Sequence, residues 1–390
     1  IYKRVNDCQC TAGEQYLYYM LRTPMSQANY LKQHGLIHVM ETQTELRLKL
    51  QLILCRISSS RHVDLTTIFQ PRDSSSFWLI IYCLMALLLP ISIIAAAFLG
   101  SSYIVLPIAA IIVNSWFHTF RWNRCVHEIS RVNYCVSLIL ALNHLRRQKL
   151  HDLDPYLYDA YEHLDKMKPI LRSGPVMTMM NADMLQAAAM VTFMIDLISF
   201  EILRKRLAKY HYEFLAVHKA IGQIDASIAI ASYRAGLSVW CEPEINFGAK
   251  RPDLRIEGMV HPLLKESVPN DVIPEESMLI TGSNASGKST YLRTAMICTL
   301  LAQTICTCTC RSYIGSSFRI YTALSLSDNL LAGESYYIAE IKSLKRILDA
   351  RKMEGFILCA IDEVLRGTNT IERISRSRSE ERRVGKECRS

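Results

Sequence analysis

Two short stretches carry residues whose types and spacing could do chemistry. The first is GSNASGKS, running from Gly282 to Ser289, with the pattern GxxxxGK[ST]. Glycines at both ends let backbone N–H groups turn inward and wrap an anion, and a helix beginning at the lysine adds partial positive charge. Lys288 then reaches the β- and γ-phosphates of a nucleotide, while the Ser289 hydroxyl is placed to ligate Mg²⁺. Gly282, Gly287, Lys288, Ser289 and Thr290 are therefore candidate ATP-binding residues. In the second stretch the apolar run GFILCAI ends in Asp362 and Glu363, with Asp362 lying 74 residues after Lys288. An acid pair after a buried strand suits a second Mg²⁺ ligand, Asp362, and a general base, Glu363, which polarises the attacking water. Together the two stretches imply an ATP-hydrolysing site that uses Mg²⁺.

Such a site needs a strand before the loop and a helix after it. SMLIT, Ser277 to Thr281, is the expected strand, and YLRTAMICTLLAQTI supplies the helix. Upstream the chain reads as helical. TAGEQYLYYMLR, residues 11–22, stops before a Thr-Pro pair. Residues 41–57 fit both an alternating strand and a helical stripe, and their Glu, Arg, Lys and Gln content favours helix. Residues 121–170 are amphipathic with few breakers. The clearest period is Phe214, Val217, Ile221, Ile224, Ile228 and Ala231, one seam on a long helix. Met184 to Ile195 is apolar but too short to span a bilayer, which makes it a core helix.

One element belongs to a different solvent. From Ser74 to Phe120 there are 47 residues without Asp, Glu, Lys or Arg. About 20 apolar residues cross a bilayer, so Phe77 to Leu99 suffices for one span. Gly100 to Ser102 is the expected turn, and Tyr103 to Phe117 a second, shorter span. Pro90 and Pro107 are tolerated in membrane helices. Phe77, Trp78, Trp116 and Trp122 fall where an interfacial aromatic belt would lie. Arg56, Arg61 and Arg72 on one flank, with Arg121 and Arg124 on the other, place both flanks on the cytoplasmic side.

Composition narrows the rest. A chain of 390 residues, half apolar and 21% charged, is long enough for more than one folded core. The net charge of +9 permits an acidic partner such as nucleic acid or anionic lipid, although residues 372–390 alone supply +3 of it. Thirteen irregularly spaced cysteines argue for a reducing compartment and against a secreted disulfide framework. In CTCTC, Cys306, Cys308 and Cys310 alternate as a short strand would, without the CxxC spacing typical of zinc.

Taken together, HPLLKESVPND, TGSNASGKSTYLR, RIYTALSLSDNLLAGESYYIAEIKSLKRIL and AIDEVLRGTNT resemble the ATPase domain of the MutS family, DNA mismatch-repair ATPases and their relatives. The resemblance runs from His261 to about Glu372. More faintly, TAGEQYLYYMLRTP and IGQIDASIAIASYRAGLSVWCEPEI are similar to that family's helical core and to the helix leading into its ATPase. The resemblance implies an ABC-like composite site, completed in a homodimer by a signature loop in trans. Here that loop is SDNLLAGESYY, with Gly333 and Ser335. It also implies nucleotide contacts from Asn284 and Asn270.

The departures shape the expectation as well. No Phe-x-Glu mismatch-reading segment is found, and the uncharged hairpin falls where relatives hold a DNA-gripping clamp. The expected fold is thus an α-helical, lever-like core with a two-span transmembrane hairpin, followed by an α/β P-loop ATPase. Its parts are the N-terminal core at 1–76, the hairpin at 77–117, the helical core and lever at 118–240, and an incomplete ATPase domain at 241–375. Residues 376–390 read as an artefactual tail, and the family's closing histidine after the acid pair is not found. The implied protein is an ATP-dependent dimer switch in the cell membrane, with its ATPase in the cytoplasm and a DNA-related role. A non-catalytic scaffold that dimerises on ATP is the alternative. An ABC transporter subunit fits less well, because two spans are few and LLAGESYY departs from LSGGQ.

Overall fold

The computed structural model describes residues 1–57, 77–178, 184–274, 277–283, 286–324 and 336–362. The chain divides into two compact units. One comprises Tyr2–Tyr19 and Lys32–Tyr233; the other comprises Ile1, Met20–Leu31 and the chain from Arg234 onward.

The first unit is helical. Its elements are α1 (Tyr2–Val5), α2 (Thr11–Met20), α3 (Gln27–Thr42, which begins in the other unit), α4 (Thr44–Leu54), α5 (Phe77–Leu99), α6 (Val105–Arg147), α7 (Asp154–Lys166), α8 (Lys168–Thr178), α9 (Met184–Thr192), α10 (Ile195–Lys209) and α11 (His211–Ala235, whose last two residues belong to the other unit). The seam from Phe214 to Ala231 does lie on one helix, α11, and all six of its residues are fully or almost fully buried. Helix α2 crosses α11 at close range. A Cβ on Gly222 would stand 2.6 Å from the Ala12 carbonyl oxygen, and one on Gly13 would collide with the Asp225 side chain. The Asp225 carboxylate uses that closeness, accepting the Gln9 N–H at 3.0 Å and the Cys10 N–H at 2.9 Å. It thus serves as a cap, supplied from a distant helix, just ahead of α2.

Helix α5 has the bounds expected for the first span. Gly100 turns the chain with φ of 108°, a conformation that favours glycine. The second span differs from expectation. It does not stop near Phe117 but continues as one 43-residue helix, α6, to Arg147. No glycine or proline interrupts it after Pro107, which lies in the first turn where its missing N–H costs nothing. The expected core helix at Met184 to Ile195 is interrupted: α9 ends at Thr192, and α10 starts after Met194 in a left-handed conformation. Within residues 41–57 the chain is helical through Leu54, as the end of α3 and as α4, and not a strand.

Among the described residues, three stretches are long and apolar enough to cross a membrane by length and composition: α5, Ser102–Arg147 and α11. The most apolar window of α11 is 78% buried, so this helix is protein core; the corresponding values for the other two are 11% and 17%. The two mostly exposed helices are joined by a polar row on α6. Asn114 donates to the Met85 carbonyl of α5 at 3.0 Å and to the Thr192 carbonyl ending α9 at 2.9 Å. His118 meets Asp196 at 2.7 Å, and the Arg121 guanidinium lies 3.6 Å from the Trp78 ring centre while its Nε donates to the Tyr82 hydroxyl. Spaced by four and three residues, these side chains share one helix face.

The second unit contains β1 (Glu244–Asn246), β2 (Leu254–Met259), β3 (Asn270–Val272), α12 (Lys288–Ile305), β4 (Ser312–Ser316), β5 (Phe318–Ala323), α13 (Tyr336–Ala350) and β6 (Phe356–Ile361). One sheet has the order β1-β4-β2-β3, with β1 and β4 parallel and the other pairs antiparallel. A second sheet pairs β5 with β6 in parallel, from Phe318 opposite Phe356 to Ala323 opposite Ile361. Ala295, Cys298 and Ala302 of α12 pack with Ile256, Tyr313, Phe318 and Ala360 in one core. The strand expected at Ser277–Thr281 is not formed. A strand needs a hydrogen-bonded neighbour, none pairs with this segment among the described residues, and Leu279 is 89% exposed. CTCTC is likewise no regular strand. Cys306 ends α12 in a left-handed conformation, and Cys308 forms an isolated antiparallel bridge with Cys241.

Candidate functional site

The glycine-rich loop runs directly into α12. Gly287 holds φ of 91° immediately before the first helical residue, so a side chain there would be strained and the helix could not begin at Lys288. The N–H groups of the first helical turn have no intrahelical partners and are free to meet an anion. The Lys288 ammonium curls back over the loop, donating to the Gly282 and Ser283 carbonyl oxygens at 2.7 Å each. An ammonium has three donors, so two fix its position and one remains for a ligand.

Ser289, one position further on α12, donates its hydroxyl proton to Oδ2 of Asp362. Asp362 follows β6, and its backbone N–H donates to the Ala323 carbonyl at the end of β5. The parallel β5–β6 pair thus carries the carboxylate to the start of α12. Residues 73 positions apart meet as a hydroxyl and a carboxylate, a hard oxygen donor set of the kind Mg²⁺ takes.

A cavity of about 430 Å³ adjoins the loop. Gly287, Lys288, Thr290 and Tyr291 line it from the loop and the start of α12, and Val268 and Asn270 line it as well. That size suits a nucleotide-sized ligand. The Tyr291 hydroxyl donates to the Asp271 carbonyl at 2.8 Å, which ties the cavity wall to β3. His261 anchors the preceding loop: its N–H donates to the Ser267 hydroxyl, and its Nδ1 accepts from Leu263 N–H. Partial burial, reinforced by Arg293, pushes the His261 imidazole below its ordinary range.

Of the residues expected from sequence, Gly282, Gly287, Lys288, Ser289, Thr290 and Asp362 come together. Asn270 lines the cavity, but its side-chain amide donates to the Val268 carbonyl of its own loop. Asn284, Gly333, Ser335 and Glu363 lie outside the described residues. Two participants were not anticipated. Tyr291 follows the lysine by three positions, one helical turn, and that spacing was the available signal. Arg234, near the end of α11, is 1% exposed. It donates to the Cys306 carbonyl at the end of α12 at 2.5 Å, to the Thr307 hydroxyl at 2.8 Å and to Glu242 at 3.0 Å. A cation on the last carbonyls of a helix complements its dipole, so Arg234 fixes the end of α12 opposite the phosphate loop.

Comparison with known proteins accords with this geometry. Residues 278–390 match MutS domain V. The chain is 33% identical over 183 residues to DNA mismatch repair protein MutS 1 of Haloarcula marismortui, covering 45% of this chain and 19% of that protein. It is 36% identical over 187 residues to DNA mismatch repair protein MutS of Rhodopirellula baltica, covering 45% and 20%. A longer match, 26% over 267 residues, reaches DNA mismatch repair protein MutS of Lachnoclostridium phytofermentans and covers 65% of this chain and 26% of that protein. The chain therefore carries a MutS-like ATPase domain, and its matches span about a fifth to a quarter of the length of these relatives.

Proposed function

We propose that this chain is a membrane-tethered, MutS-type ATP-binding protein whose ATPase acts as a dimerisation switch with a DNA-related role. The observation that carries the nucleotide reading is the meeting of Ser289 with Asp362 beside the Lys288 loop. In this reading the α12 N-terminus and Lys288 hold the phosphates, and Ser289 and Asp362 hold Mg²⁺. The metal, when bound, supplies positive charge to the β- and γ-phosphates. Glu363, next along the chain, is assigned the role of general base. Gly333 and Ser335 are assigned to the partner subunit's nucleotide. The DNA-related role is drawn from the relatives, whose names are those of mismatch-repair proteins.

The tether reading rests on α5 and the start of α6, which expose Leu84, Leu87, Ile91, Ile94, Ile108 and Ile112. So large an exposed apolar surface needs a partner, and lipid suits helices of this length. Arg121 and Arg124 at its base favour a cytoplasmic ATPase. Two measurements test the proposal. Lys288→Ala should weaken binding of a fluorescent ATP analogue by the detergent-solubilised chain by roughly 100-fold or more, and unchanged binding would refute the nucleotide site. Carbonate-washed membranes should retain the protein, and its release would refute the tether.

A further inference from the structure

Five cysteines of the second unit gather where the end of α12 meets the segment entering β1. Cys241 and Cys308 exchange backbone hydrogen bonds at 3.0 Å in both directions, which locks the two segments in register. In the stretch after α12, Cys310 stands two residues beyond Cys308, and its Sγ lies 3.5 Å from that of Cys241. The other thiols are otherwise engaged. Cys308 donates to the Cys298 carbonyl, Cys298 contacts the Thr309 hydroxyl, and Cys306 reaches the Tyr30 carbonyl. Cys308 and Cys310 are fully buried, whereas Cys241 is partly exposed. The pair therefore has one accessible member and one protected member in sulfur contact.

We propose that Cys241 and Cys310 are a reversible dithiol–disulfide site that takes low-molecular-weight disulfides of the glutathione type as oxidant. The neighbouring Cys308 and Cys310 thiols push the Cys241 thiol well below its ordinary range, which favours its thiolate. The Cys241 thiolate attacks one sulfur of the small disulfide, forming a mixed disulfide and expelling one small thiolate. Cys310 then attacks the Cys241 sulfur and expels the second small thiolate, and the Cys310 proton passes to a leaving thiolate. Two protein thiols are oxidised, and one small disulfide is reduced to two thiols. The sulfurs must close from 3.5 Å to about 2.05 Å, a side-chain adjustment within a register the backbone already fixes. The new bond would join the entry to β1 covalently to the turn that Arg234 holds at the end of α12.

The site is tested by equilibrating the whole chain with oxidised and reduced glutathione, trapping free thiols by alkylation and mapping peptides. The expected product is a single Cys241–Cys310 link, with two of the thirteen thiols lost and both restored by dithiothreitol. Cys310→Ala should stop at a glutathione adduct on Cys241. Should that variant not fold, the wild-type alkylation rate at pH 6 decides. Cys241 should react at least about tenfold faster than exposed Cys55 and Cys359. Equal rates, or linkage of Cys241 to another cysteine, would overturn the proposal.

Discussion

Single side chains decide whether this chain handles a nucleotide. Lys288 spends two hydrogen bonds on its own loop, which pre-positions the ammonium before any phosphate arrives. Charge-assisted contacts to phosphate are the strong kind, so Lys288→Ala should weaken ATP binding by roughly 100-fold or more in a fluorescence titration. Arg234 acts at the other end of the same helix. Arg234→Ala removes a buried cation that holds the Cys306 carbonyl and the Thr307 hydroxyl, and should cost about 2–4 kcal/mol in denaturant unfolding. These two residues differ in legibility. Lys288 sits in a contiguous motif whose spacing states its chemistry. Arg234 partners a carbonyl 72 residues away, and no local pattern announces such a contact. Asp362 was legible as well: an apolar run ending in an acid 74 residues after Lys288 pointed to a Mg²⁺ role shared with Ser289, and the fold adds the direct hydrogen bond between the two side chains.

At the scale of elements, periodicity was a good guide wherever one face is buried. The α11 seam was legible for that reason, whereas the bounds of α5 were read from its lack of charge. The reach of α6 was not, because a change from apolar to amphipathic composition looks like a boundary although the backbone has no cause to break. The strand before the loop was misread because an apolar run implies burial, while strand formation depends on a neighbour. Two predictions belong here. Gly222→Val should destabilise the helical unit by about 2 kcal/mol or more, since even a Cβ there meets the Ala12 carbonyl at 2.6 Å. His218 on α11 is held by burial at about 4, below its ordinary 6.5. Its folded value is depressed, so its contribution to stability is present above pH 6.5 and is lost as pH falls from there through 4. His218→Leu should flatten that part of the melting-temperature profile, and an unchanged acid slope would refute the assignment.

On the scale of the molecule, a helical unit with a long exposed apolar hairpin and an ATPase-bearing unit are parts of one chain. The hairpin was readable from the absence of charge alone. Its polar row was not, because Asn114, His118 and Arg121 find partners on α5, α9 and α10 that only the fold brings near. Asn114 satisfies a carbonyl at the end of α9, a group that lipid would leave without a partner. Asn114→Leu should therefore loosen the hairpin against the helical unit, seen as faster proteolysis near Thr192 in detergent, while carbonate-resistant membrane association persists.

The central claim is that Ser289 and Asp362 serve one Mg²⁺ ion at an ATP site. A double-mutant cycle on Mg²⁺-dependent ATP affinity, using Ser289→Ala, Asp362→Ala and the double variant, tests it most directly. If the two side chains act through one ion, each single change removes most of the affinity gained from Mg²⁺, and the double change removes little more. Losses that simply add, or Mg²⁺ dependence that survives in the double variant, would contradict the account.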